Sequence, residues 1–310
     1  MKVLDRLDRE RIEALRARDE FFWLDLHSPE KEEVKALGDI FGFHPIALED
    51  TMHFSQRPKL DPYDEYALLV FYGVAYQEDE PVPIEVHLFL HGSFIITVHR
   101  DPCDELDDLR DRLAQDRHRS ETYIVYRILD ALTDTFFPVL SHMDDEIEEL
   151  EDAVVRRPTD AQRARIFQLR RSLVTLRKLV TPQRDIFART IDELTDIPGL
   201  EAGSRDYFRD VYDHLIRISE LVDSYRDLLS GLTDVYLTTV SNRLNETMKQ
   251  LTIIATIFLP LTFVTGFFGQ NFGWMINHID SPGAFLGLGV GGCLAAGVGI
   301  WVFIRRTAQD

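Results

Sequence analysis

The chain has 310 residues, with 53 Asp and Glu against 34 Lys and Arg and a formal net charge of −19. A field of that sign repels nucleic acid and draws cations, divalent ones most strongly. Its two cysteines fall one in polar sequence (Cys103) and one in an apolar run (Cys293), so neither a disulfide nor a cysteine-built zinc site is expected.

The opening residues, MKVLDRLDRERIEALRARDE, are charged throughout and hold no stretch of signal-peptide type. From Phe21 to about Asp101 strand and helix signals mix. FFWLDL reads as a short strand, and Ser28-Pro29 is expected to cap a helix with proline at its first position and acids in its first turn. YALLVFYGVAY, IEVHLFL and SFIITVH read as strands, the last two joined at His91-Gly92 in a hairpin. Residues 1–120 should therefore form a compact cytoplasmic α/β domain, the α+β part of the fold. His44, His53, His87 and His91 lack a recognisable metal-ligand spacing. With no phosphate-cradling glycine loop and no nucleophile motif, neither an enzyme nor an ATP-driven pump is supported.

After Pro102 apolar residues recur at three- and four-residue steps, the helical period. Tyr123 to Val155 predicts one long helix, and a second runs from about Ala161 to Leu194 with Pro182 as a point where it can kink. Ile197-Pro198-Gly199 breaks the pattern, which gives residues 121–203 as cytoplasmic antiparallel helices. From Ser204 to Lys249 there is no proline and only Gly231 as a weak point, so a stalk helix (204–250) should run on into an apolar run at 251–269.

That run, LTIIATIFLPLTFVTGFFG, and a second from Gly283 to Ile304 are free of charge. Each reaches or approaches the about 20 apolar residues that span a bilayer core as a helix. Arg243 and Lys249 precede the first span, Arg305 and Arg306 follow the second, and the loop at 270–282 holds no Lys or Arg. Both termini are therefore expected on the cytoplasmic side of a cell membrane, with residues 305–310 as a short tail. Two helices cannot enclose a polar path, so any pore must come from several copies of the chain. Gly283, Gly287 and Gly291 in the second span would let a neighbouring helix approach closely.

On the stalk, Asp206, Asp213, Glu220, Asp227 and Asp234 follow at intervals of seven, and Asn245, Thr252, Leu259 and Gly266 form a further such series. A seven-residue step keeps side chains near one face, drifting about 20° per heptad. Around a common axis these series become rings, and rings of carboxylates followed by amides and hydroxyls suit a cation conduit. The plainer alternative is a solvated stalk whose acids pair with Arg209, Arg217 and Arg226. Asp234 and Asn245 are expected to face water, because they lie close to the first span. Gly269-Gln270-Asn271 at the loop entrance offers neutral amide oxygens, which suit a magnesium ion that keeps its waters, whereas zinc would want nitrogen or sulfur.

The residues FGFHPIALED (Phe41 to Asp50), QRPK, YFRDVYDH and the stretch from Ser230 to Gly266 resemble the CorA family of divalent-cation transporters, as does the two-span end. The resemblance implies a homopentameric funnel in membrane lipid that takes up Mg2+, with Co2+ and Ni2+ as further cargo. It implies that Asn245, Leu251, Leu259, Gly266 and Asn271 line the path, that Leu251 and Leu259 form apolar constrictions, and that Asp234 forms a ring below. It also implies a regulatory Mg2+ between neighbouring subunits at Asp50 and Asp210, with Glu49 nearby, whose loss lets like-charged subunits separate. No organic cofactor is implied. One departure is Gln270, where the family usually has methionine. A zinc-transporting branch also replaces that methionine, so zinc transport is the alternative, and a non-conducting metal-sensing scaffold is a third reading.

Overall fold

A computed structural model describes residues 2–115, 120–195, 205–270, 273–278 and 281–307. The chain divides into two units, Met1–Val235 and Tyr236–Asp310.

The first unit begins with β1 (Lys2–Leu4), α1 (Arg9–Ala17), β2 (Phe22–His27), α2 (Lys31–Phe41), α3 (Pro45–Met52), β3 (Lys59–Pro62), β4 (Ala67–Gln77), β5 (Glu80–His91), β6 (Phe94–His99) and α4 (Asp104–Gln115). The strands form one sheet in the order β1-β2-β6-β5-β4-β3. β1, β2 and β6 are parallel, and β6, β5, β4 and β3 are antiparallel. The near-continuous apolar runs of β4, β5 and β6 are explained by burial from both faces. The hairpin joins β5 and β6, with its turn at Gly92-Ser93 rather than His91-Gly92, since His91 still pairs with Phe94. A cluster including Phe22, Leu37, Phe43, Phe89 and Ile96 forms the core under α1, α2 and α3.

The cap of α2 is not Ser28. The Ser28 N–H donates to the His99 carbonyl at 2.7 Å and keeps that residue in the sheet, where it turns through a left-handed φ of 49°. The helix starts after Glu30 instead, in a capping box with Glu33.

The helical layer is α5 (Glu121–Asp134), α6 (Phe136–Arg156), α7 (Asp160–Thr195) and the first part of α8 (Arg205–Phe268). The single helix read from Tyr123 to Val155 is thus two, parted at Thr135. Pro138 has no N–H for the Asp134 carbonyl. The Thr135 hydroxyl donates to the Leu132 carbonyl at 2.6 Å and accepts from the Val74 N–H at 2.8 Å. Beyond Val70, where pairing with β3 stops, β4 would present a bare edge. Thr135 covers it at Val74 and the Gln183 side-chain oxygen covers it at Tyr72, 2.6 Å away. This close approach fits a residue without Cβ at Gly73, where a Cβ would stand 3.1 Å from Thr135 Oγ1. α7 continues as helix through Pro182. Ile197, Pro198 and Gly199 lie outside the described residues.

α8 is 64 residues long. In the first unit it buries Phe208, Val211, Leu215, Ile218, Val222 and Leu229 at helical spacing, while the heptad acids stay exposed.

The second unit holds the rest of α8, then α9 (Gly273–His278), α10 (Pro282–Ala284), a π-helical segment (Phe285–Val290) and α11 (Gly291–Thr307). The connecting loop therefore carries a short helix that its sequence did not announce. Two of its helical stretches are long and apolar enough to cross a bilayer, with mean hydropathies of 2.1 and 1.9 over their most apolar windows. Threonine hydroxyls on α8 bond back to the carbonyls one turn earlier, Thr252 to Met248 at 2.8 Å and Thr262 to Phe258 at 2.7 Å, which leaves them satisfied in lipid.

Candidate functional site

Within the second unit, α8 places Asn245, Thr252, Leu259 and Gly266 along one slowly drifting stripe. Leu251 precedes Thr252 by one residue and so stands about 100° round the helix on the neighbouring stripe. Leu251 and Leu259 are 58% and 74% exposed, and a Cβ on Gly266 would meet open space, so all three are free to face another chain or a channel. In the first unit, Asp206, Asp213, Glu220, Asp227 and Asp234 are exposed. Of the arginines considered as their partners, Arg226 meets Asp227 at 3.4 Å, whereas Arg217 lies over the Phe137 ring at 5.5 Å.

Past the end of α8 the Gly269 N–H donates to the Thr265 carbonyl at 2.9 Å and the Gln270 N–H to Phe267 at 3.3 Å. A Cβ at Gly269 would stand 3.0 Å from the Thr265 oxygen, so glycine is what permits this tight closure. The Gln270 side chain is exposed. Asn271 lies outside the described residues.

Asp50 sits in the last turn of α3, a helix started by His44 as N-cap and Pro45 at its first turn. Its carboxylate meets Lys59 at 2.6 Å, and Lys59 also meets Asp61 at 2.5 Å. Burial opposes the charge on Lys59, but the hydrogen bonds to Asp50 and Asp61 outweigh it and hold the ammonium above its ordinary pKa. Glu49 is exposed, and its carbonyl accepts from the His53 N–H at 3.0 Å. The segment joining α3 to β3 is pinned from below by buried Glu85. That carboxylate accepts the N–H of Ser55 at 2.5 Å and of Gln56 at 3.0 Å, and it meets His87 at 2.8 Å.

Asp210, one helical turn before His214 on α8, accepts from the Tyr126 hydroxyl at 2.9 Å. Beside it the structure gathers a group that sequence reading missed. Asp130 and Asp134 of α5 and His214 of α8 bring one ligand atom each within 4.8 Å of one another. His214 Nδ1 lies 3.7 Å from Asp130 and 3.8 Å from Asp134, and this buried nitrogen has no hydrogen-bond partner among the described residues. Burial raises the pKa of both carboxyl groups. Asp134 and then Asp210 push Asp130 further in that direction, and Asp210 does the same to Asp134, despite the opposing pull of Arg127 and His214. The signal for this group was two i,i+4 pairs, Asp130 with Asp134 and Asp210 with His214, each on one helix face. Two carboxylates suit a hard divalent cation, and the imidazole adds a donor that favours cobalt or nickel.

The model of the CorA-like Mg2+ transporter protein family matches residues 18–306. The cobalt/magnesium transport protein CorA of Thermotoga maritima is 38% identical over 260 residues, covering 82% of this chain and 74% of the relative. A putative metal ion transporter of Bacillus subtilis, YfjQ, is 36% identical over 92% of this chain and 89% of its own. The zinc transport protein ZntB of Yersinia enterocolitica is 26% identical over 74% of this chain and 70% of its own. Among solved structures, the CorA magnesium transporter of Methanocaldococcus jannaschii shares the fold at a TM-score of 0.79 and 22% identity, over 92% of this chain and 90% of that one. On a family match across nearly its whole length, this chain belongs to the CorA-like Mg2+ transporter protein family.

Proposed function

We propose that several copies of this chain form a membrane channel for divalent cations, Mg2+ first and Co2+ or Ni2+ as further cargo. The observation that carries the reading is α8 itself, which has an exposed carboxylate series in the first unit and an apolar, membrane-length stretch in the second. A homopentamer, as the family resemblance suggests, would turn Asp234, Asn245, Leu259 and Gly266 into successive rings, with Leu251 beside them as a second apolar girdle. Gly269, Gln270 and Asn271 would receive the hydrated ion at the outer end, and both termini would lie in the cytoplasm. Neutral amide oxygens there hold an ion through its waters, which suits a cation that dehydrates reluctantly.

The regulatory half of the proposal joins Glu49 and Asp50 of one subunit to Asp210 of the next, with Asp130, Asp134 and His214 completing a multi-carboxylate site. Mg2+ bound there would neutralise acids that otherwise repel, and its loss would loosen the closed assembly. Gln270 in place of the usual methionine keeps zinc transport as a second reading. Uptake into liposomes of purified protein, with Mg2+ and Zn2+ tested side by side at matched pH and potential, separates the readings. Potential-driven Mg2+ uptake that falls in Asn271→Ala supports the first, zinc-only flux the second, and flux of neither leaves a sensor.

A further inference from the structure

The QRPK motif is only partly used by this reading, since Lys59 alone of its residues touches Asp50. Gln56, Arg57 and Pro58 line something else, a groove of about 890 Å³ between the segment leading into β3 and one face of α7. Four cations border it, Arg57, Arg177, Lys178 and Arg189, against the single acid Asp185. In a chain of net charge −19 that is a local reversal of sign. Asp185 is neutralised by Arg184 at 2.9 Å, and Arg177 leans toward Asp223 at 3.6 Å. Arg57, Lys178 and Arg189 have no ion-pair partner among the described residues.

The groove is built rather than incidental. Glu85 and the Tyr72 hydroxyl fix the backbone of Ser55 and Gln56, the latter through a 2.5 Å bond to the Gln56 carbonyl, so Arg57 projects from a held segment. Ser55 is kept at a φ of 84°, a left-handed conformation that a free loop would avoid. Leu60, Val174, Leu179 and Ile186 supply apolar surface between the cations.

Cations spaced along an apolar floor match a ligand with a polyanionic end and a flat apolar body. We infer that this groove binds a nucleoside polyphosphate, with the phosphates among Arg57, Lys178 and Arg189 and an arginine plane stacked on the base. Recognition by side chains agrees with the absence of a glycine-rich phosphate loop from the sequence. Nucleoside triphosphates chelate Mg2+ strongly, so such a ligand would report the bound rather than the free cation.

The test is calorimetric titration of the purified full chain with ATP, adenosine and inorganic tripolyphosphate, all in EDTA. With no metal and no flux, its outcome is independent of the transport reading. Saturable ATP binding is expected, weaker in high salt. It should weaken by about tenfold or more in Arg57→Ala/Arg189→Ala, whose side chains are exposed and whose removal leaves the core intact. Adenosine should bind far more weakly than ATP. Three results each overturn the assignment: no saturable ATP binding, equal binding by the double variant, or tripolyphosphate binding as tightly as ATP.

Discussion

Asp134→Asn probes the candidate metal group on α5 and α8, because Asp134 is its half-exposed member, with 53% of its side chain accessible. Two unit charges within 4.8 Å repel by about 3.5 kcal/mol at an effective dielectric of 20. Solvent screening at Asp134 and the nearby Arg127 charge reduce this to about 1 kcal/mol. The metal-free variant should therefore melt about 3 °C higher than the parent. Mg2+ at a hundredfold excess over its dissociation constant adds about 2.7 kcal/mol to the parent, and a tenfold loss of affinity with one ligand gone leaves about 1.4 kcal/mol. Both carboxyl groups have raised pKa values, so charging them costs the metal-free fold progressively more as pH rises through those values. The Mg2+ gain should be largest on the alkaline side. Thermal unfolding of the purified full chain, with and without Mg2+ across pH, reads all three effects. An unchanged Mg2+ shift in the variant would refute the assignment of Asp134 as a ligand.

Three further outcomes follow from other parts of the fold. Asp25 is buried, and burial alone would raise its pKa; His99 at 3.3 Å, Thr97 and Arg110 outweigh it and bring the pKa down, while the pKa of His99 is raised against its own burial by Asp25. The Asp25 contribution is lost as pH falls through its lowered pKa, and the His99 contribution is lost as pH rises through its raised one. Asp25→Asn should thus cost most, about 3 kcal/mol, between about pH 4 and pH 6.5, and less above, read as melting temperature against pH; a flat penalty up to pH 9 contradicts the pairing. Gly73→Val should destabilise by about 1–3 kcal/mol through overpacking on Thr135 and Leu132, measured by thermal melting. Gly269→Ala should lower liposome flux while leaving the melting of the first unit unchanged, since its Cβ presses on the Thr265 carbonyl.

Much of this was legible because single segments carried it. The spans follow from uninterrupted apolar length, and β4, β5 and β6 follow from runs that only a doubly covered sheet explains. Other features depend on partners distant in sequence. Pro138 lies where a helix start tolerates it, so the break at Thr135 becomes visible only once the Val74 N–H is seen to need an acceptor. The short, charged segments of α1, β1 and β3 owe their structure to the sheet and core they join. Asp130 and His214 are unremarkable in their own helices, and their meaning comes from the packing of α5 on α8. Leu251 shows the converse case: motif matching alone puts it on the path, since it lies one residue off the Asn245–Gly266 series.

The Lys59 ammonium sets how much ion such a protein needs before it responds. It is held against Asp50 at 2.6 Å, and would act there as a built-in rival cation at high effective concentration. In the proposed regulatory role, an arriving ion must exchange with it rather than fill an open site. The apparent affinity is then set by a ratio of two cations' preferences for one carboxylate. Exchange of this kind keeps occupancy low until the ion is abundant, as a sensor of a plentiful cytoplasmic metal requires.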